Sequence, residues 1–142
     1  IVDAYWDDEG RALCPAATGI GHHISPSGGV EPCPPLQLAG ENVGDGTDLY
    51  ERLTNSVFLR EFRGQVAKAT RGCVIMERPD LLLQLAEETG AGDSSGRGTV
   101  KAELGGLSPC SSHHVPGREI REASWSYRFA KKHWFFGFGA YG

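Results

Sequence analysis

The sequence predicts an α+β fold: a small β-hairpin followed by several helices and long glycine-rich loops. Three observations carry this. Residues 21–34 have the chemistry of a hairpin, with short extended runs either side of Pro26-Ser27-Gly28-Gly29. Phe58, Phe62, Val66 and Ala69 recur at i, i+4, i+8 and i+11, which lines up one face of a helix. Glycine supplies 20 of the 142 residues, about twice its usual share of roughly 7%, and so predicts many turns and much irregular chain.

Taken in order, residues 1–4 read as a short strand, apolar from Ile1 and without a preceding methionine or linker. Such a start looks like the end of a buried strand, and the chain like the C-terminal part of a longer protein. Residues 5–11, with Asp7, Asp8, Glu9 and Gly10, form an exposed polar loop, read as solvated rather than cation-binding. Residues 12–20 are small and irregular. Residues 22–25 form the first hairpin strand. Pro26 suits an early turn position and glycine supplies positive φ. Val30 and Glu31 begin the return strand, and Pro32 and Pro34 end it because proline cannot donate to a ladder.

Residues 35–39 are an extended apolar piece and residues 40–46 a loop. Thr47 caps a short helix over 48–53, with Asp48 favourable in its first turn. Asn55 or Ser56 caps a longer helix reaching residue 69, and Gly72 stops it, leaving Cys73 just beyond a helix C-terminus. Pro79 occupies the first position of the next helix, which carries core leucines to a stop at Gly90. Residues 90–98 are Gly/Ser-rich and read as flexible. No strand precedes them, so a phosphate loop is not expected. Residues 99–104 form a helical turn, 105–122 a long loop, and 123–134 a last helix with Trp125 and Phe129 on one side. The aromatic tail from Trp134 is apolar enough to require a docking surface.

The length fits one domain by ordinary size. A net charge of −4 leaves no electrostatic footprint for nucleic acid. No apolar run approaches the roughly 20 residues that span a bilayer. Nor is there a charged segment followed by an apolar stretch of the kind found in secretory leaders. Nucleic acid and membrane are therefore not expected partners. The four cysteines, widely spread and without a leader, are expected to be reduced thiols in the cytoplasm.

Cys14, Cys33, Cys73 and Cys110 are separated by 18, 39 and 36 residues, with no Cys-x-x-Cys pair. Ligands so scattered converge only through a fold. Cys14-Pro15, Pro32-Cys33-Pro34 and Gly72-Cys73 sit at element ends, whereas core cysteines usually lie inside strands or helices. Cys110 follows Pro109 in a polar loop, as a further ligand or an idle surface thiol. His22 and His23 face opposite sides of a strand. One of them can approach Cys14 and Cys33, since histidine completes zinc and iron–sulfur sites alike, or serve as a hydrogen-bonded structural group. His113-His114 is read as exposed. A serine hydrolase is excluded by the lack of a Gly-x-Ser-x-Gly elbow. A Cys33–His22 nucleophile pair is disfavoured because the flanking prolines remove N–H donors for an oxyanion.

Gly21-His22-His23-Ile24-Ser25-Pro26-Ser27-Gly28-Gly29-Val30-Glu31-Pro32-Cys33-Pro34 resembles the segment that opens the SPASM/Twitch-type C-terminal extension of radical SAM proteins. There, too, a strand, a Pro-x-Gly turn and a return strand end in Pro-Cys-Pro. Glu41-Asn42-Val43, Leu49-Tyr50-Glu51-Arg52-Leu53 and Asn55-Ser56-Val57-Phe58-Leu59-Arg60 follow in the family's order, before Cys73. The likeness covers roughly residues 12–75. Tyr127-Arg128-Phe129-Ala130-Lys131-Lys132-His133-Trp134 resembles the C-terminal region of uncharacterised radical SAM proteins.

The resemblance implies that Cys14, Cys33 and Cys73 ligate an auxiliary iron–sulfur cluster of the 4Fe-4S type. Cys110, a histidine or an open iron would fill the fourth position. It divides the chain into the end of a truncated barrel (1–11), a Twitch-like module (12–78) and a helical extension (79–142), with residues 1–4 as a residual strand of a missing α/β barrel. The Cys-x-x-x-Cys-x-x-Cys motif that holds the SAM-cleaving cluster is absent. S-adenosylmethionine is thus expected only in a separate N-terminal barrel, which would be this region's partner together with an unknown small-molecule or peptide substrate. The implied function is electron relay or substrate binding in a radical SAM enzyme, with no radical generation by this region alone. Two other classes compete: a zinc-binding interaction module using Cys14, Cys33, Cys73 and a histidine, and a disulfide-stabilised binding domain.

Overall fold

The computed structural model describes residues 5–6, 12–46 and 48–113, with Trp125, Ser126, Phe129 and His133. The expected strand at 1–4, the acidic cluster at 7–9, His114, most of the last helix and the aromatic tail lie outside the described residues. The fold is α+β. Six two-residue strands form three antiparallel pairs, and five α-helices supply most of the remaining order among the described residues.

Strand β1 (Tyr5–Trp6) pairs with β2 (Ala12–Leu13), so two segments read as loop and irregular chain form a small ladder instead. Pairs this short satisfy backbone groups without a visible apolar alternation, which is why the pattern missed them. Cys14 follows at the start of a 3₁₀ turn, Pro15–Thr18, with Pro15 pre-set for its first position. The hairpin is as expected. β3 (His23–Ile24) pairs with β4 (Val30–Glu31), placing His23 opposite Glu31 and Ile24 opposite Val30. Gly28 turns the chain with φ 86°, and its N–H donates to the Ser25 carbonyl at 2.8 Å. The Ser25 hydroxyl accepts the Gly29 N–H at 2.9 Å. Asn42 bridges to Gly29 from outside, and the Asn42 side-chain amide donates to the Ser27 carbonyl at 2.8 Å.

β5 (Leu38–Ala39) emerges from a turn in which Leu36 N–H donates to the Cys33 carbonyl at 3.2 Å. Helix α1 (Leu49–Asn55) is capped by Asp48, whose carboxylate accepts from Tyr50 and Glu51 N–H; the expected cap, Thr47, lies outside the described residues. Helix α2 (Val57–Ala69) is capped by Ser56, as expected. The Ser56 hydroxyl accepts Leu59 N–H at 3.0 Å and donates to Glu41 at 2.7 Å. Phe58, Phe62 and Val66 are buried. Ala69 is exposed, because the buried stripe instead runs through Leu59.

The end of α2 also differs from expectation. Thr70, not Gly72, closes the helix, and Cys73 is the N-cap of helix α3 (Val74–Glu77) rather than a residue after a C-terminus. Gly72 is required for close packing. A Cβ there would overlap the Ser112 hydroxyl and lie 2.5 Å from Glu77 Oε1 and 2.8 Å from His113 N. Helix α4 (Pro79–Thr89) begins at proline, buries Leu81, Leu82, Leu85 and Ala86, and ends at Gly90.

Residues 90–98 are not a free loop. β6 (Gly92–Asp93) pairs with β5. The Asp93 carboxylate accepts from Ser95 N–H at 2.7 Å, from the Ser95 hydroxyl and from Val100 N–H at 3.0 Å. These bonds replace the side-chain packing that the composition lacks and lead into helix α5 (Val100–Gly105). The core forms where α2 packs on the turn after Cys14 and on α4, with α4 packing on α3 and α5. It holds Val30, Leu36, Leu38, Phe58, Phe62 and the α4 leucines, with Cys14 inside it and Cys33 against it. Trp125 and Phe129 are helical but exposed, and the Phe129 ring lies 4.4 Å from that of His133.

Candidate functional site

Three segments carry the thiols that lie around Cys33. The 3₁₀ turn presents Cys14, the prolines after β4 present Cys33, and the N-cap of α3 presents Cys73. Cys14 is buried, Cys33 and Cys73 are half-buried, and all four cysteines are free. Burial pushes the Cys33 thiol up to about 12; negative charge at Cys14, Cys73 and Glu31 pushes the same way, against a bond from the Leu36 N–H. Cys14 and Cys73 therefore both lie within electrostatic reach of Cys33, although dozens of residues separate them in the chain. A thiol so strongly protonated is a poor nucleophile near neutral pH. The Cys33–His22 pair is thus unsuited to nucleophilic catalysis.

Neutral thiols become ligands when a bound metal displaces their protons, which inverts the pKa of such thiols outright. Among the described residues no three Cys, His, Asp or Glu side chains form a group able to hold a metal ion. This disfavours a single zinc more than a cluster. An iron–sulfur cluster takes one thiolate per iron, so its ligands stand apart rather than meeting at one point. His22 adds an orphaned polar atom on the same hairpin: its Nδ1 is buried without a hydrogen-bond partner. Burial, then the Arg63 charge, lower its pKa and favour the neutral ring that ligation requires. The residues offer the donor types of an iron–sulfur site, thiols and an imidazole, without grouping three of them around one point.

Cys110 is placed differently. It is exposed and lines a cleft of about 300 Å³ with Ala69, Glu77, Arg78, Pro109 and His113. Its loop is nevertheless tied to the thiol corner. The Ser112 hydroxyl accepts the Cys73 N–H at 2.8 Å, and Ser112 N–H donates to Glu77 at 2.9 Å. Glu77 is the hub of this junction. It accepts from the Thr70 hydroxyl, from the Arg71 and Gly72 N–H groups, each at 3.2 Å, and from His113 Nδ1 at 2.8 Å. Burial raises the Glu77 carboxyl, but bonds from Thr70, His113, Ser112 and Arg71 outweigh it and hold the group well below its ordinary range. His113, expected to be exposed, is half-buried through this contact.

The hairpin also lines a larger cleft of about 580 Å³, with His23, Glu31, Pro34, Gln37, Ser94 and Arg97 on its wall. Glu31 is 1% exposed. It accepts from His23 Nδ1 at 2.7 Å and from the Ser94 hydroxyl. Arg97 donates from Nη2 to Gln37 Oε1 at 2.9 Å and to Glu103 at 3.3 Å. Gln37 has φ 52°, the one positive value at a non-glycine among the described residues. That conformation costs about 1–3 kcal/mol and collects at ligand-holding positions. The cleft was hidden in the sequence because Ser94 and Arg97 sit in the segment read as flexible. The pairing of His23 with Glu31 was implicit in the hairpin register.

No known protein family, curated protein or solved structure matches the chain.

Proposed function

We propose that the chain is an auxiliary iron–sulfur domain from the C-terminal region of a radical SAM enzyme, supporting electron relay or substrate binding. The observation that carries this is the gathering of Cys14, Cys33 and Cys73 from three separate segments at one half-buried corner. In this reading those three thiols hold the cluster. Cys110, on a loop tied to Cys73 through Ser112, or the orphaned His22 nitrogen takes the fourth place. When bound, a 4Fe-4S group would supply one-electron transfer, or an open iron for a substrate donor atom. The chain's own residues position the sulfurs. Pro32 and Pro34 stiffen the arm of Cys33, the core immobilises Cys14, and the Glu77 junction holds Cys73. Radical generation and S-adenosylmethionine binding belong to a separate barrel. Free thiols and a buried, oxidisable centre suit the reducing cytoplasm. No described helix is long and apolar enough to cross a membrane.

Anaerobic reconstitution with iron and sulfide tests the proposal. The expected product is brown, with broad visible absorbance that disappears in the Cys14→Ala/Cys33→Ala double variant. Loss of colour in Cys110→Ala but not in His22→Ala would identify the fourth ligand. A colourless protein that takes up no iron defeats the cluster. One zinc per chain without visible absorbance would put an interaction module in its place.

A further inference from the structure

We propose that the helical segment bearing Trp125 and Phe129 binds the surface of an anionic lipid bilayer. The two rings would enter the interfacial layer, and the neighbouring cations Arg128, Lys131 and Lys132 would meet the acidic headgroups. Trp125, Phe129 and His133 are helical and stand at i, i+4 and i+8, so they share one face. The 4.4 Å approach of the Phe129 and His133 rings is what that spacing produces. The face is turned to water, with Trp125 74% exposed and Phe129 51% exposed. Two large aromatics exposed on one helical face make a patch rather than a scattered exposure, and such patches mark interaction sites.

The sequence around the patch points to lipid. Residues 123–142 hold eight Phe, Trp and Tyr residues and three basic ones, but no Val, Ile, Leu or Met. The core of the protein is built differently, from Leu and Val around Phe58 and Phe62. Aromatic rings interleaved with Lys and Arg suit the membrane–water boundary, where the rings settle at headgroup level and the cations pair with acidic lipid. Charge is also sorted along the chain, since all 18 Asp and Glu residues precede residue 123. Exposed charges act over only about 8–10 Å in physiological salt. The acidic remainder of the chain therefore does not cancel the local attraction of Arg128, Lys131 and Lys132. Binding at a surface needs no spanning helix, and no described helix is long and apolar enough to provide one.

The test is cosedimentation of the full chain, without iron, so its result is read separately from cluster formation. The probes are vesicles of phosphatidylcholine alone and vesicles of phosphatidylcholine mixed with phosphatidylglycerol. Binding is expected to the mixed vesicles, weakening as salt rises, and much less to phosphatidylcholine alone. Trp125→Ala/Phe129→Ala should lower binding by roughly tenfold or more. Both side chains are exposed, so an unchanged thermal midpoint should accompany that loss. Lys131→Gln/Lys132→Gln should weaken binding to the mixed vesicles by roughly fivefold per cation and leave binding to phosphatidylcholine unchanged. Failure to sediment with the mixed vesicles, binding indifferent to lipid charge, or unchanged binding in Trp125→Ala/Phe129→Ala would overturn the proposal. Single-stranded RNA also takes cations beside stacked rings, so tighter binding of poly(U) than of the mixed vesicles would assign the face to nucleic acid instead.

Discussion

Cys33 is the residue on which the chemistry turns. Its thiol is pushed up to about 12 from an ordinary 9.0, chiefly by burial and then by Cys14. Between those values the folded chain keeps a proton that the unfolded chain has released. Stability of the metal-free chain is therefore intact below about pH 9 and declines as pH rises toward 12. Urea denaturation midpoints across that range should fall, and Cys33→Ser should flatten the slope. Alkylation by iodoacetamide gives a second readout. Exposed Cys110 should react ahead of Cys33 at mildly alkaline pH, and peptide mass analysis of the labelled protein measures the order. Equal labelling rates would contradict the burial of Cys33. His23 and Glu31 make the complementary case, since a buried carboxylate here is tolerated by virtue of its two hydrogen-bond donors.

At the scale of elements, the junction of α2, α3 and the 110–113 segment depends on one carboxylate. Glu77 joins the end of α2 to Cys73 and to Ser112 and His113. Its pKa is lowered, so its stabilisation is present above the ordinary carboxylate value and is lost as pH falls. Glu77→Gln should cost about 1–3 kcal/mol at neutral pH, by leaving buried donors poorly matched. The gap from wild type should close at acid pH, where Glu77 is protonated too. Chemical denaturation of both proteins at a series of pH values checks this, and a difference that stays constant with pH would argue against it. The caps at Asp48 and Ser56 follow ordinary side-chain logic, with oxygen acceptors meeting the free N–H groups of a first turn.

For the whole molecule, α2 is the beam that the turn after Cys14 and helix α4 rest on. Phe58 and Phe62 stack edge to face at 6.1 Å, and α2 packs on both α4 and the turn after Cys14. Phe62→Ala should destabilise the chain by about 3–5 kcal/mol. Because it loosens that turn, it should also raise the alkylation rate of Cys14, which is 4% exposed. Thermal melting together with thiol labelling measures the two effects. Destabilisation without any change in Cys14 labelling would show that the turn is held by something other than α2.

Much of the local structure was legible because it follows from short-range chemistry. The Pro-Ser-Gly-Gly turn, the Ser56 cap, the apolar face through Phe58, Phe62 and Val66, and Pro79 with Gly90 each act within a few residues. The pairing of Leu38–Ala39 with Gly92–Asp93 was not legible, since it is set by contact across more than fifty positions. Of the candidate site, residue types and element ends indicated Cys14, Cys33 and Cys73 as a set. Only tertiary packing put Cys14 and Cys73 within electrostatic reach of Cys33 and left Cys110 exposed. The sequence by itself determined which residues turn, cap and bury, because φ preferences and apolar spacing are local. The tertiary structure decided which side chains share a site, because charge and hydrogen bonding depend on distance through space.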